Sequence, residues 1–89
     1  MAKVEVVHPD EKKLKEMGVF SWPVWTKDPS EFPWHYDDRE TCYLLEGEAE
    51  VATNGETVKF GAGDLVTFPR GIDCRWRIFK AVRKHYKFG

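Results

Sequence analysis

The sequence predicts an all-β protein, a small barrel or sandwich with one short helix near its N-terminus. Three observations carry that prediction. From Val19 onward, short segments rich in aromatic and β-branched residues alternate with period 2. Turn signals separate them at close spacing: Lys27-Asp-Pro-Ser30, Asn54-Gly55, Gly61-Ala-Gly63 and Arg70-Gly71. Six Phe, four Trp and three Tyr in 89 residues are more bulk than a single antiparallel pair can bury. A closed or double-layered sheet can bury it, and also removes exposed edges.

The elements follow in chain order. Lys3–Val7 reads as a short strand. Asp10 is placed to cap, and Gly18 to stop, a two-turn helix over Glu11–Met17 whose apolar stripe is only Leu14 and Met17. That makes it a surface helix. Val19–Trp25 reads as β, with Pro23 marking an edge or bend. Glu31–Tyr36 and Thr41–Glu46 are strands, joined by a loop at Asp37-Asp-Arg39. At Gly47 the register changes, because Ala49 and Val51 now share the inner face with Glu48 and Glu50 outside; a glycine there implies a bulge or tight bend. Asn54-Gly55 is the sharpest hairpin signal, since both positions accept the positive φ of a type I′ turn. Thr57–Phe60, Asp64–Phe68, Cys74–Phe79 and Val82–Phe88 complete the strands. No repeat or linker interrupts residues 1–89, which read as a single domain.

Bulk properties exclude several function classes. No apolar run approaches the roughly 20 residues of a membrane helix, and the start lacks a secretory signal. Cys42 and Cys74 are only two and far apart, unlike a disulfide framework. A cytoplasmic protein with free thiols is expected. Net charge is −1, but residues 1–69 hold seven Lys/Arg against fourteen Asp/Glu and residues 70–89 seven against one. The reading preferred over a nucleic-acid patch sets the basic segment beside acidic strands, where opposite charges pair across the ladder. No nucleic-acid partner is expected.

The stretch Glu40-Thr-Cys-Tyr-Leu-Leu-Glu-Gly47, with its approach Phe32-Pro-Trp-His-Tyr36, carries the functional signal. Alternation puts Glu40, Cys42 and Leu44 on one face, and Trp34 and Tyr36 on the larger apolar side of the approach. These side chains are expected to converge on one interior, with His35 outside. A carboxylate pointing inward needs a hydrogen-bond donor, a cation or a proton. Tyr43 and Leu45 fall on the opposite face, where exposed apolar surface would suit a homodimer. Cys74 shares parity with Trp76 and Ile78 and should face in; His85 should face out.

A second stretch, Gly63-Asp-Leu-Val-Thr-Phe-Pro69-Arg-Gly71-Ile-Asp-Cys74, sets a glycine before Pro-x-Gly with five residues between them, after Glu40 and Gly47 with six residues between them. In this order the pair resembles the two motifs of the cupin superfamily over residues 32–79. Segments such as Trp22-Pro-Val-Trp25 and Lys84-His-Tyr86 look most like the small single-domain cupins grouped with ureidoglycine aminohydrolase and the ethanolamine-utilisation cupin. The resemblance implies a small jelly-roll β-barrel. It also implies a ligand set of two His, one Glu and a later His for a divalent metal such as zinc or manganese. Glu40 matches the carboxylate. The two earlier His places fall on Trp34 and Tyr36, or on Pro33 and His35 under a longer gap, and the last falls on Cys74. Only Glu40, or Glu40 with His35, keeps the usual residue type. A substitute set of Glu40, Tyr36, Cys74 and His35 is the remaining metal-ligand candidate, zinc tolerating mixed donors best.

The sequence therefore points to a barrel that takes a small polar metabolite, a ureido or amino compound by resemblance. Trp34, Tyr36, Cys74 and Trp76 are the candidate ligand contacts, and Glu40 the candidate acid or base. The alternative is a non-catalytic dimeric barrel with a filled interior, serving as a structural or protein-interaction module.

Overall fold

The structure, a computed structural model, describes residues 3–53 and 55–89. Seven strands, β1 (Glu5–Val7), β2 (Val24–Lys27), β3 (Ser30–His35), β4 (Glu40–Thr53), β5 (Glu56–Gly61), β6 (Leu65–Phe68) and β7 (Asp73–Phe88), follow or flank one helix, α1 (Glu11–Met17). All pairings are antiparallel. The order β1-β6-β4-β7-β2 has β5 added on β4 and β3 on β7. This is the all-β jelly-roll architecture expected from the sequence.

Two long strands organise it. The sequence splits β4 and β7 into two segments each; in the structure each is continuous, and they pair with each other along most of their length. The first half of β4 also pairs with β6 and its second half with β5, while β7 pairs first with β3 and then with β2. The register shifts expected at Gly47 lie between Leu44 and Ala49. There the two strands bend together and fold the halves of the sheet over a common interior. That interior holds Tyr36, Cys42, Leu44, Val51, Val66, Phe68, Trp76 and Val82, each at most 2 % exposed.

The N-terminal segment departs from expectation in one respect. Asp10 caps α1 by accepting from Lys13 N, and Gly18, at φ 74°, ends it, as read from the sequence. Val19–Ser21 is then a 3-10 turn, not a strand. The left-handed Gly18 reverses the chain, Ser21 Oγ donates back to Gly18 O at 2.7 Å, and Val19 becomes a fully buried plug. Val19, Leu14 and Leu65 form a second small cluster, with Tyr43 packed against it. The outer face that the dimer expectation drew on is therefore covered at Tyr43 by the chain's own N-terminal segment. The same segment buries His85, whose Nδ1 lies 2.8 Å from Trp22 O and whose ring meets Phe20 edge-on. His85 is on the outer face as expected, but not at the surface.

The Asn54-Gly55 turn includes Asn54, which lies outside the described residues; the flanking strands pair Thr53 with Glu56. Charge segregation resolves into cross-strand pairs. Arg75 and Arg77 both meet Glu31, and Lys80 meets Glu48 at 3.3 Å. The Arg75 hydrogen bond and the two guanidinium charges hold the Glu31 carboxyl below its ordinary range. No helix among the described residues is long and apolar enough to cross a membrane.

Candidate functional site

At one end the barrel is open. A cavity of about 550 Å³ enters between β2, β3 and β7. Its walls are the rings of Trp25, Phe32, Trp34, Trp76, Tyr86 and Phe88, and its polar groups are Glu40, Tyr36, Lys84 and Lys27. Trp34 and Phe88 are half exposed and form the mouth. Trp76 is the inner wall, stacked on Phe32 and in contact with Phe60 and Phe68.

The cavity narrows onto one buried constellation. Tyr36 OH donates to Glu40 Oε1 at 2.7 Å, and Lys84 Nζ donates to Glu40 Oε2 at 2.8 Å. The Glu40 and Lys84 side chains are 4 % and 5 % exposed. The ammonium also faces the rings of Trp25 and Trp76, 4.8 and 4.7 Å from their centroids, a favourable contact for a cation with little water around it. Thus the inward carboxylate finds both a donor and a cation. The Tyr36 backbone is fixed on both sides by the second motif: Tyr36 N donates to Ile72 O, and Gly71 N donates to Tyr36 O at 2.7 Å. Burial first, and the Glu40 charge second, push the Tyr36 phenol well above its ordinary range, so it stays a donor.

The expected residues divide. Glu40, Tyr36, Trp34 and Trp76 line the cavity, although Trp34 is at the mouth instead of in the interior. Cys74 does not line it; its side chain packs in the core. His35 lies outside, its Nδ1 2.7 Å from Asp73 Oδ1. Alternation missed Trp25, Tyr86 and Phe88 as cavity walls and, above all, Lys84; Phe32 shares the parity of Trp34 and Tyr36 but was not among the candidate contacts. The signal for Lys84 was present. It shares parity with Val82, Tyr86 and Phe88, a charged residue in an otherwise apolar row.

These residues do not fit a divalent metal. Both Glu40 oxygens already accept, one from the Tyr36 hydroxyl and one from the Lys84 ammonium. His35 and Cys74 do not converge with Glu40, and among the described residues no group of three His, Cys, Asp or Glu does so. Burial above all raises the Cys74 thiol from 9.0 to about 11, with Asp73 and Glu40 adding to it, and the Cys42 thiol to about 12. Both are neutral thiols near pH 7. Their pKa values are higher folded than unfolded. The stability this contributes is complete below the unfolded thiol value and is lost as pH rises toward the folded ones. Urea midpoints should therefore fall between pH 9 and pH 11, and Cys74→Ala should flatten part of that fall. A flat profile in the native protein would contradict the burial of both thiols.

The family model of the EutQ-like cupin domain matches residues 14–86. The chain belongs to the EutQ-like cupin family. Among solved structures, this cupin is similar to a DUF861 family protein of Thermotoga maritima, at 50% identity and TM-score 0.95 over 98% of this chain and 100% of that one. A putative ethanolamine utilization protein Q of Salmonella typhimurium is 32% identical with TM-score 0.68, covering 73% of this cupin and 53% of that chain. The Clostridium difficile EutQ protein shares the fold at 20% identity and TM-score 0.68, over 73% and 52%. The cupin thus aligns with about half the length of either EutQ chain. No curated protein matches it.

Proposed function

We propose that this cupin binds a small metabolite in its open barrel, a molecule with a flat or apolar body and an amide- or ureido-type head. The observation that carries the reading is the buried Glu40–Lys84 pair at the inner end of an open, aromatic-walled cavity. An ammonium has three donors, and Lys84 uses one on Glu40, so two remain for a ligand carbonyl. Each Glu40 oxygen accepts one bond and can accept a second, from a ligand N–H. A group with C=O and N–H side by side satisfies both at once, whereas a bare carboxylate or bare amine satisfies one and opposes the other. The aromatic rings supply area for the remainder. Lys27 is among the lining residues and adds a second cation for an acidic ligand tail.

The test is calorimetry and tryptophan fluorescence against N-carbamoylglycine, N-carbamoyl-β-alanine and phenylurea, beside carboxylates and amines of matched skeleton. Saturable binding by the carbamoyl compounds is expected, with the matched acids and amines at least tenfold weaker. The Glu40→Gln/Lys84→Met double variant keeps a neutral, filled core and should lose the preference. Equal affinity in that variant, or no binding of any carbamoyl compound at millimolar concentration, would overturn the reading.

A further inference from the structure

We propose that Lys84 is a nucleophile for a small aldehyde or ketone entering the cavity, joining it as an imine. The inference rests on the cavity being a binding site, as proposed above, and adds a chemistry to it. Lys84 lines an open cavity, yet its side chain is 5 % exposed. Its amine contacts a carboxylate at 2.8 Å and two indole faces. Surface lysines such as Lys80, whose side chain is 74 % exposed, keep a hydrated ammonium. Lysines that form imines differ in being desolvated and in having an adjacent group to take the proton.

The atoms balance within the site. The Lys84 ammonium passes one proton along the existing hydrogen bond to Glu40 Oε2. A neutral acid and a neutral amine result. The amine lone pair forms a C–N bond to the carbonyl carbon, the C=O π pair becomes the oxygen's, and one amine proton moves to that oxygen. Protonated Glu40 donates to the carbinolamine oxygen, the C–O bond breaks, and water leaves. The product is a protonated imine facing the Glu40 carboxylate in place of the ammonium. No oxidant or reductant is consumed. Tyr36 OH remains on Glu40 Oε1 throughout and keeps Oε2 directed at the nitrogen.

The experiment uses the native protein, propanal and benzaldehyde as probes, and cyanoborohydride to reduce any imine to a stable secondary amine. Intact mass then counts adducts, and peptide mapping places them. Lys84 should be modified first, to one equivalent, at least tenfold faster than Lys80 and Lys27. Lys84→Arg should lose that fast adduct only. Lys84 remaining unmodified, or reacting no faster than Lys80, overturns the proposal. The two readings fail separately. Carbamoyl compounds that bind while Lys84 resists trapping would remove the nucleophile and leave the binding site. Fast trapping with no carbamoyl binding would do the reverse.

Discussion

Lys84→Met is expected to destabilise the protein by about 3–5 kcal/mol, because it leaves Glu40 as a buried carboxylate without its cation. For a domain of this size that lowers the melting temperature by well over about 10 °C. The loss is not the net worth of the salt bridge, since burying both charges costs several kcal/mol per ion before they meet. A second substitution separates these terms. Glu40→Gln on top of Lys84→Met removes both charges and keeps the Tyr36 hydrogen bond, now to the amide oxygen. The double variant should return to within about 1–2 kcal/mol of the native protein. Urea denaturation of the four proteins gives the cycle. A single Lys84→Met variant as stable as native would show that the ammonium does not compensate Glu40.

Gly47→Ala is expected to fail more completely. Gly47 sits at φ 108°, where side chains are strained, and the added Cβ would stand 2.6 Å from Ala81 O, 2.8 Å from Val82 Cα and 2.9 Å from Lys80 O. All three are backbone atoms of β7 at the joint bend, so nothing flexible can give way. The cost should exceed about 4 kcal/mol, which a short chain with a thin stability margin cannot absorb. Gly63→Ala is the control. Its φ is 90°, but no atom lies within 4 Å of the added Cβ, so it carries only the local strain of about 1–2 kcal/mol. Circular dichroism and urea titration should find Gly63→Ala folded and Gly47→Ala unfolded or insoluble. Equal stabilities would mean that β4 and β7 do not meet so closely.

The contrast between these sites shows what the sequence could express. The helix over Glu11–Met17 and the register change at Gly47 were readable, because each depends on local chemistry: a cap, a stop, a glycine between two alternations. The inward carboxylate was readable for the same reason. Its partner was not. Glu40 pairs across the ladder with Phe88, and Lys84 with Leu44; the lysine reaches back along the interior to the carboxylate. That contact joins residues 44 apart in sequence and depends on the register of two strands, which alternation does not supply. The 3-10 turn at Val19–Ser21 eluded propensity because the αL glycine before it, not the β-branched residue itself, sets the backbone. His85 kept its outward parity and still became buried, since parity assigns a face and not what covers it. The motif resemblance located the barrel correctly, but beside Glu40 its metal-ligand places fall on an indole and a phenol, or a proline and an imidazole, and on a thiol. An ammonium that no motif position names faces the carboxylate instead.

Lys84 faces Glu40 in an open barrel, and a metal at that carboxylate would have to displace it. A crystal structure of protein grown with excess zinc and manganese, with anomalous data at both absorption edges, decides between these arrangements. Lys84 Nζ should lie within hydrogen-bond distance of Glu40 Oε2, with no anomalous peak in the cavity. A peak beside Glu40, with Lys84 swung away toward the mouth, would contradict that pairing.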